Sequence, residues 1–276
     1  MTITISARTR AGFLVVALAL VGGTGCLTMA AIDHVQEHNR VREREAARER
    51  RVAQLTPRAD AGEPAAMTAL AFVLSAEPVD ARRDLRRIRA LLDGASRQGY
   101  VYAQAVLGEM LASGRMPAGA TYLPAAMRDR PRGIVLLQQV ASQTCLIRVA
   151  ADPTSTANGY GIELTLLPAG RVASLLELAG RNDEARVWRA RSIVHCGQSG
   201  GDVVEYRATA EGAPSARRQA ALAFLLLSTN TARIEAAQRG LAPDDIAAAR
   251  RQADDLRRQV AESEREFPAP QHKELP

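Results

Sequence analysis

Residues 62–74, GEPAAMTALAFVL, and residues 99–111, GYVYAQAVLGEML, align with each other at a constant offset of 37. Gly62 falls on Gly99, Ala66 on Ala103, Leu70 on Leu107, Ala71 on Gly108 and Leu74 on Leu111. Small and large apolar residues recur at helical spacing, so each stretch is expected to form one amphipathic helix. The small residues stand where a second helix can approach closely. The stretch that follows repeats as well, at an offset of 46: Arg86, Ile88, Leu91, Ala95 and Ser96 fall on Arg132, Ile134, Leu137, Ala141 and Ser142. The second unit thus has nine more residues between its helices. Its loop, Arg115 to Pro131, contains Pro117, Gly119, Pro124 and Pro131. Periods of this length predict an all-α chain of helix-turn-helix repeats stacked as a short solenoid.

The junction Ala95-Ser96-Arg97-Gln98-Gly99-Tyr100, followed by Ala103-Gln104 and Leu107-Gly108, resembles Sel-one-like repeats (SLR), a branch of the tetratricopeptide-like superfamily. Units of that family end near A-x-x-Q-G and restart with A-Q-x-x-L-G. Asp183, Ala185 and Trp188 resemble part of a further second helix, one position short. The likeness spans residues 60 to 144 and returns over 171 to 196. Ser75-Ala76-Glu77-Pro78 stands where the family has a G-x-G-V turn. The resemblance implies a protein-binding module, and some exported SLR proteins act as immunity proteins that bind a secreted toxin.

Upstream of the repeats, residues 1–10 hold Arg8 and Arg10 and no acid, and Ala11 to Ile32 carry no charge. A basic segment followed by about 20 uncharged residues predicts export and a membrane anchor at 1–32. Two readings stay open. Either Phe13 to Val21 is the core of a cleaved signal, with Gly23-Thr24-Gly25-Cys26 resembling a bacterial lipobox and Cys26 the lipid attachment site, or Ala11 to Ile32 remains as one spanning helix.

Residues 33–57, mostly Arg, Glu, Ala and Gln, read as a charged helical stalk. Pairs such as Glu37 with Arg40 and Glu45 with Arg48 would support it, and it would hold the domain roughly 30 Å from the bilayer. Thr56-Pro57 is expected to end it. His34-Val35-Gln36-Glu37-His38 matches the H-x-x-E-H pattern of zinc peptidases. Its place on a solvated helix beside the apolar segment argues for a polar interfacial helix instead.

Downstream, Ala150 to Gly161 reads as a loop, and Ala213 to Asn230 as a helix buried at Ala220 to Leu227. The last helix is expected to begin at Pro243-Asp244-Asp245. Its narrow seam, Ile246, Ala249, Ala253, Leu256 and Val260, suits either capping the array or packing on a partner helix. The domains are then 1–32 anchor, 33–57 stalk, 58–240 repeat domain, 241–267 capping helix and 268–276 disordered tail.

With Cys26 assigned to the anchor, Cys145 and Cys196 form an even pair, which in an oxidising compartment makes one disulfide; two buried free thiols are the alternative. The net charge is +6, yet Lys273 is the only lysine and the arginines are interleaved with acids. Such a pattern lacks the basic block of a nucleic-acid binder. Gly197-Gln198-Ser199-Gly200-Gly201 matches the G-x-S-x-G elbow of hydrolases, but that device needs a strand-to-helix turn and a downstream acid and histidine. The only histidine downstream is His272. The leading expectation is a non-enzymatic, membrane-tethered, periplasm-facing module in a bacterial envelope. It would bind a protein partner as a scaffold, adaptor or assembly factor, without metal or cofactor. The rival is an envelope hydrolase using Ser199.

Overall fold

A computed structural model describes residues 36–76, 78–117, 122–149, 164–197 and 214–273. These residues are mostly helical, as the apolar periodicity predicts. The chain divides into two units, residues 1–53 and 54–276. The anchor segment with Cys26, and His34, lie outside the described residues. Among the described residues, no helix is long and apolar enough to cross a membrane.

Helix α1 spans residues 36–60. Its stretch within the first unit is polar. Glu37 lies 3.6 Å from Arg40 and 4.0 Å from Arg44, with all three side chains exposed, so these pairs add only a few tenths of a kcal/mol each. His38 is exposed on this helix. The expected stop at Thr56-Pro57 is displaced: the helix continues to residue 60, and the Ala61 N–H donates to the Pro57 carbonyl at 3.0 Å. Leu55 and Ala59, on either side of the proline, are 6% and 4% exposed. Their burial outweighs the one backbone bond that proline forfeits. Gly62, at φ +82°, supplies the actual stop.

The second unit continues with α2 (Pro64–Ser75), α3 (Pro78–Arg97), α4 (Val101–Ser113) and α5 (Arg130–Ala141), the last three each packed on its predecessor. A shift of 37 carries α2 onto α4, and a shift of 46 carries residues 84–95 of α3 onto α5. Burial follows the same correspondence. Ala66 and Ala103, Leu70 and Leu107, Leu74 and Leu111, and Ile88 and Ile134 are all buried. Gly99 repeats the left-handed stop of Gly62, at φ +79°. The expected close approach occurs between α4 and α5: a methyl group on Gly133 would fall 2.6 Å from the Ala112 nitrogen and the Gly108 oxygen. Only glycine lets these two backbones meet, because backbone atoms cannot give way as a side chain does. In the long loop before α5, Asp129 caps the helix by accepting from the Arg132 N–H.

Two short strands follow, β1 (Ile147–Val149) and β2 (Leu164–Leu166), paired antiparallel with Ile147 opposite Leu166. They were not foreseen, since three residues are too few to show an alternating pattern. The loop expected over 150–161 lies outside the described residues. Helices α6 (Pro168–Leu178), α7 (Asn182–Cys196), α8 (Pro214–Leu225), α9 (Thr231–Gln238) and α10 (Pro243–Ser263) complete the fold. The α10 seam is buried within the chain. Ala253, Leu256 and Val260 join Ala190 and Ile193 of α7 and Ala221 and Phe224 of α8 in one core, and Ala249 packs with Leu222 and Ala223. The seam is therefore filled by the chain's own helices.

Three ion pairs tie one helix to another. Arg171 of α6 grips Glu109 of α4 through both carboxylate oxygens, at 2.7 and 2.6 Å. Arg132 of α5 pairs with Asp93 of α3, and Arg189 of α7 with Glu177 of α6.

Candidate functional site

The sulfurs of Cys145, just after α5, and Cys196, the last residue of α7, stand 2.03 Å apart with their Cα atoms 5.4 Å apart. This is the geometry of a disulfide. The same corner holds the C-terminal segment. The Cys145 N–H donates to the His272 carbonyl at 3.0 Å, and the His272 N–H donates to the Gln143 carbonyl at 3.1 Å. The tail expected to be disordered from 268 is thus pinned at 272, because backbone groups past the end of α5 need partners and find them there.

Arg191 of α7 grips the chain beyond α10. It is 2% exposed. Its guanidinium donates to Ser263 Oγ at 2.8 Å and to the carbonyls of Phe267 and Pro268 at 2.6 and 3.0 Å. It also lies 4.9 Å from the centroid of the Trp188 ring, which packs edge-on against Phe267 at 5.1 Å. Burial draws its pKa below the ordinary arginine value, with Glu264 acting in the opposite sense. The charge is tolerated here because four electron-rich groups surround it.

One turn further along α7, His195 Nε2 lies 3.1 Å from Glu264 Oε1, but the approach is misaligned for a hydrogen bond and Nε2 has no such partner among the described residues. Burial, then the Arg191 charge, hold the imidazole below its ordinary pKa, and Glu264 opposes them only in part. The folded chain therefore prefers neutral His195. The unfolded chain takes up a proton as pH falls through about 6.5, so stability is full above that value and declines as pH drops toward the lower folded-state pKa. Urea unfolding at about pH 8 and about pH 5 should show this loss, and His195→Gln should reduce the difference. An unaltered pH profile in the variant would rule the assignment out.

Beside this corner, α5, α7, α10 and the C-terminal segment enclose two clefts of about 590 and 740 Å³. Both are lined by Val135, Gln138, Glu266 and Phe267, so they form one groove. Val135 is 48% exposed on its floor, a large apolar side chain left open to solvent. Gln138 is 6% exposed, and its amide makes no hydrogen bond among the described residues. The wider end is rimmed by Asp183, Glu184, Glu262 and Glu266 against Arg181 alone. Arg181 is taken by Glu184, at 2.6 and 2.5 Å, which leaves the other three carboxylates without an ion pair among the described residues. Grooves of this size that combine apolar floor and a few convergent polar groups are where ligands bind.

The chain matches no protein-family model, no curated protein and no solved structure.

Of the sites foreseen from sequence, Cys145 and Cys196 are brought together, whereas Cys26 and Ser199 lie outside the described residues. The G-x-S-x-G stretch begins at Gly197, which caps the helix α7 at φ 62°; a hydrolase elbow instead follows a strand. Among the described residues, no three His, Cys, Asp or Glu side chains converge as metal ligands. Arg191 and Gln138 were not foreseen. In sequence Arg191 looks like Arg186 and Arg189, and Gln138 like Gln139. Burial alone separates them.

Proposed function

We propose that this chain is a membrane-tethered, periplasm-facing helical-repeat module, of the Sel-one-like kind, that binds a protein partner as a scaffold, adaptor or assembly factor. Its helix pairs would stack as a short solenoid, with Cys26 lipidation or one spanning helix as the tether. The observation that carries the reading is the groove between α5, α7 and α10, where Val135 is exposed and the Gln138 side chain has no protein partner among the described residues. Contact with a partner would cover the apolar lining and exchange water on the amide for a protein hydrogen bond.

The test is photo-crosslinking in the intact envelope from position 135. Tyr122, 64% exposed and outside the groove, serves as the control position. A discrete protein adduct from 135 and none from 122 is the expected result. Equal adducts from both positions would refute the groove. A lipid or peptidoglycan hydrolysis that Ser199→Ala abolishes would replace the binding reading with the enzymatic one.

A further inference from the structure

We propose that the groove takes a short extended segment of the partner protein in which a small apolar residue is flanked by arginine or lysine. The proposal rests on the partner-binding reading above and specifies the chemistry of its ligand. Three observations support it.

Gln138 lies in the stretch shared by the two ends of the groove, more than nine-tenths buried, with a primary amide that has no partner among the described residues. A primary amide offers an N–H₂ donor and a carbonyl acceptor side by side. That pair complements the N–H and C=O of one residue of an extended chain, whose backbone groups are free, as a helix's are not.

The rim is the second observation. Asp183, Glu262 and Glu266 form no ion pair among the described residues, and Arg181, the cation that lines the groove with them, is held by Glu184. This acidic rim belongs to a chain whose net charge is +6, so the overall field does not draw cations in. Selection of basic side chains is local to the groove.

The floor is the third. Val135 and Phe267 line the groove together with Gln138, and such apolar surface accepts an aliphatic side chain but not a charged one, since a charge set on apolar atoms loses its hydration without compensation. Alternation along an extended chain sends successive side chains to opposite sides. An apolar residue facing the floor therefore has neighbours on the open side, from where long basic side chains can reach the carboxylates.

The test uses the full-length protein in detergent and two fluorescein-labelled peptides, Gly-Arg-Val-Arg-Gly and its charge-inverted counterpart Gly-Glu-Val-Glu-Gly, read by anisotropy. The basic peptide should bind saturably and weaken with added salt, and the acidic peptide should not bind. Gln138→Leu keeps the side-chain volume and should weaken the basic peptide by about tenfold or more. Glu262→Gln with Glu266→Gln, at exposed positions that leave the fold intact, should weaken it similarly and flatten its salt dependence. Absence of binding by the basic peptide, equal binding of both peptides, or indifference to both variants would overturn the proposal. So would salt-independent association of the chain with its own copies that excludes the peptide. If the basic peptide fails while position 135 still crosslinks to a discrete protein, the ligand chemistry is wrong and the module reading survives. If neither occurs, both fall.

Discussion

Severing the Cys145–Cys196 link should lower the stability of the folded domain by about 2–4 kcal/mol, which for a chain of this size moves the thermal midpoint by about 4–16 °C. The two cysteines are 51 residues apart. Closing a loop of that length restricts the unfolded chain and leaves the folded one little changed, which is the origin of the loss in the chain-entropy account. The effect should not stop at the sulfurs. Cys145 also holds His272 through its backbone, and Cys196 closes the helix that carries Arg191. Circular dichroism melts with and without reductant, and on the double variant Cys145→Ala with Cys196→Ala, measure it. A midpoint indifferent to reductant, together with two reactive thiols at 145 and 196 in the unreduced protein, would show that no bond forms.

Arg191→Leu should cost about 2–4 kcal/mol and free the C-terminal segment. The substitution keeps an apolar side chain of fair size against Trp188 but removes every hydrogen bond to Ser263, Phe267 and Pro268. Bonds from a charged donor contribute about 1.5–3 kcal/mol each, and groups left unsatisfied add their desolvation cost. Relief of the buried charge offsets part of that sum. The loss should be concentrated locally: amides of residues 264–273 should exchange faster with solvent, while those of α2 and α4 stay protected. The groove should suffer as well, because Phe267 and Glu266 are held in place by this grip. A variant that melts lower but keeps the protection of 264–273 would mean that Arg191 serves general packing and not the segment.

Helix positions in the first half of the domain were legible because small and large apolar residues recur at fixed offsets. Gly62 and Gly99, matched by one of those offsets, both prove to be helix stops in the structure. The α10 seam was legible for the same reason, although the periodicity left open whether a partner or the chain itself would fill it. The reading failed where a distant contact decides. Pro57 looked like a stop and is overridden by the burial of Leu55 and Ala59 on either side of it. The tail looked loose, being short, polar and rich in proline, and is fastened by backbone bonds to residues 143 and 145.

The groove was invisible for a related reason. Its lining comes from α5, α7, α10 and the segment after α10, and Val135 and Gln138 on α5 meet Glu266 only when the segment after α10 returns to them.

By itself the sequence determined what depends on near neighbours: where most helices lie, which of their positions are apolar, and which two cysteines were available to pair. Local propensity and periodicity act over a few residues, and they leave a direct trace in residue order. Only the tertiary structure decided which of several similar arginines and glutamines is buried, and that the tail returns to close the corner. Those outcomes depend on groups brought together from more than 70 residues apart, as Arg191 and Phe267 are, and no local pattern in the chain records such a meeting.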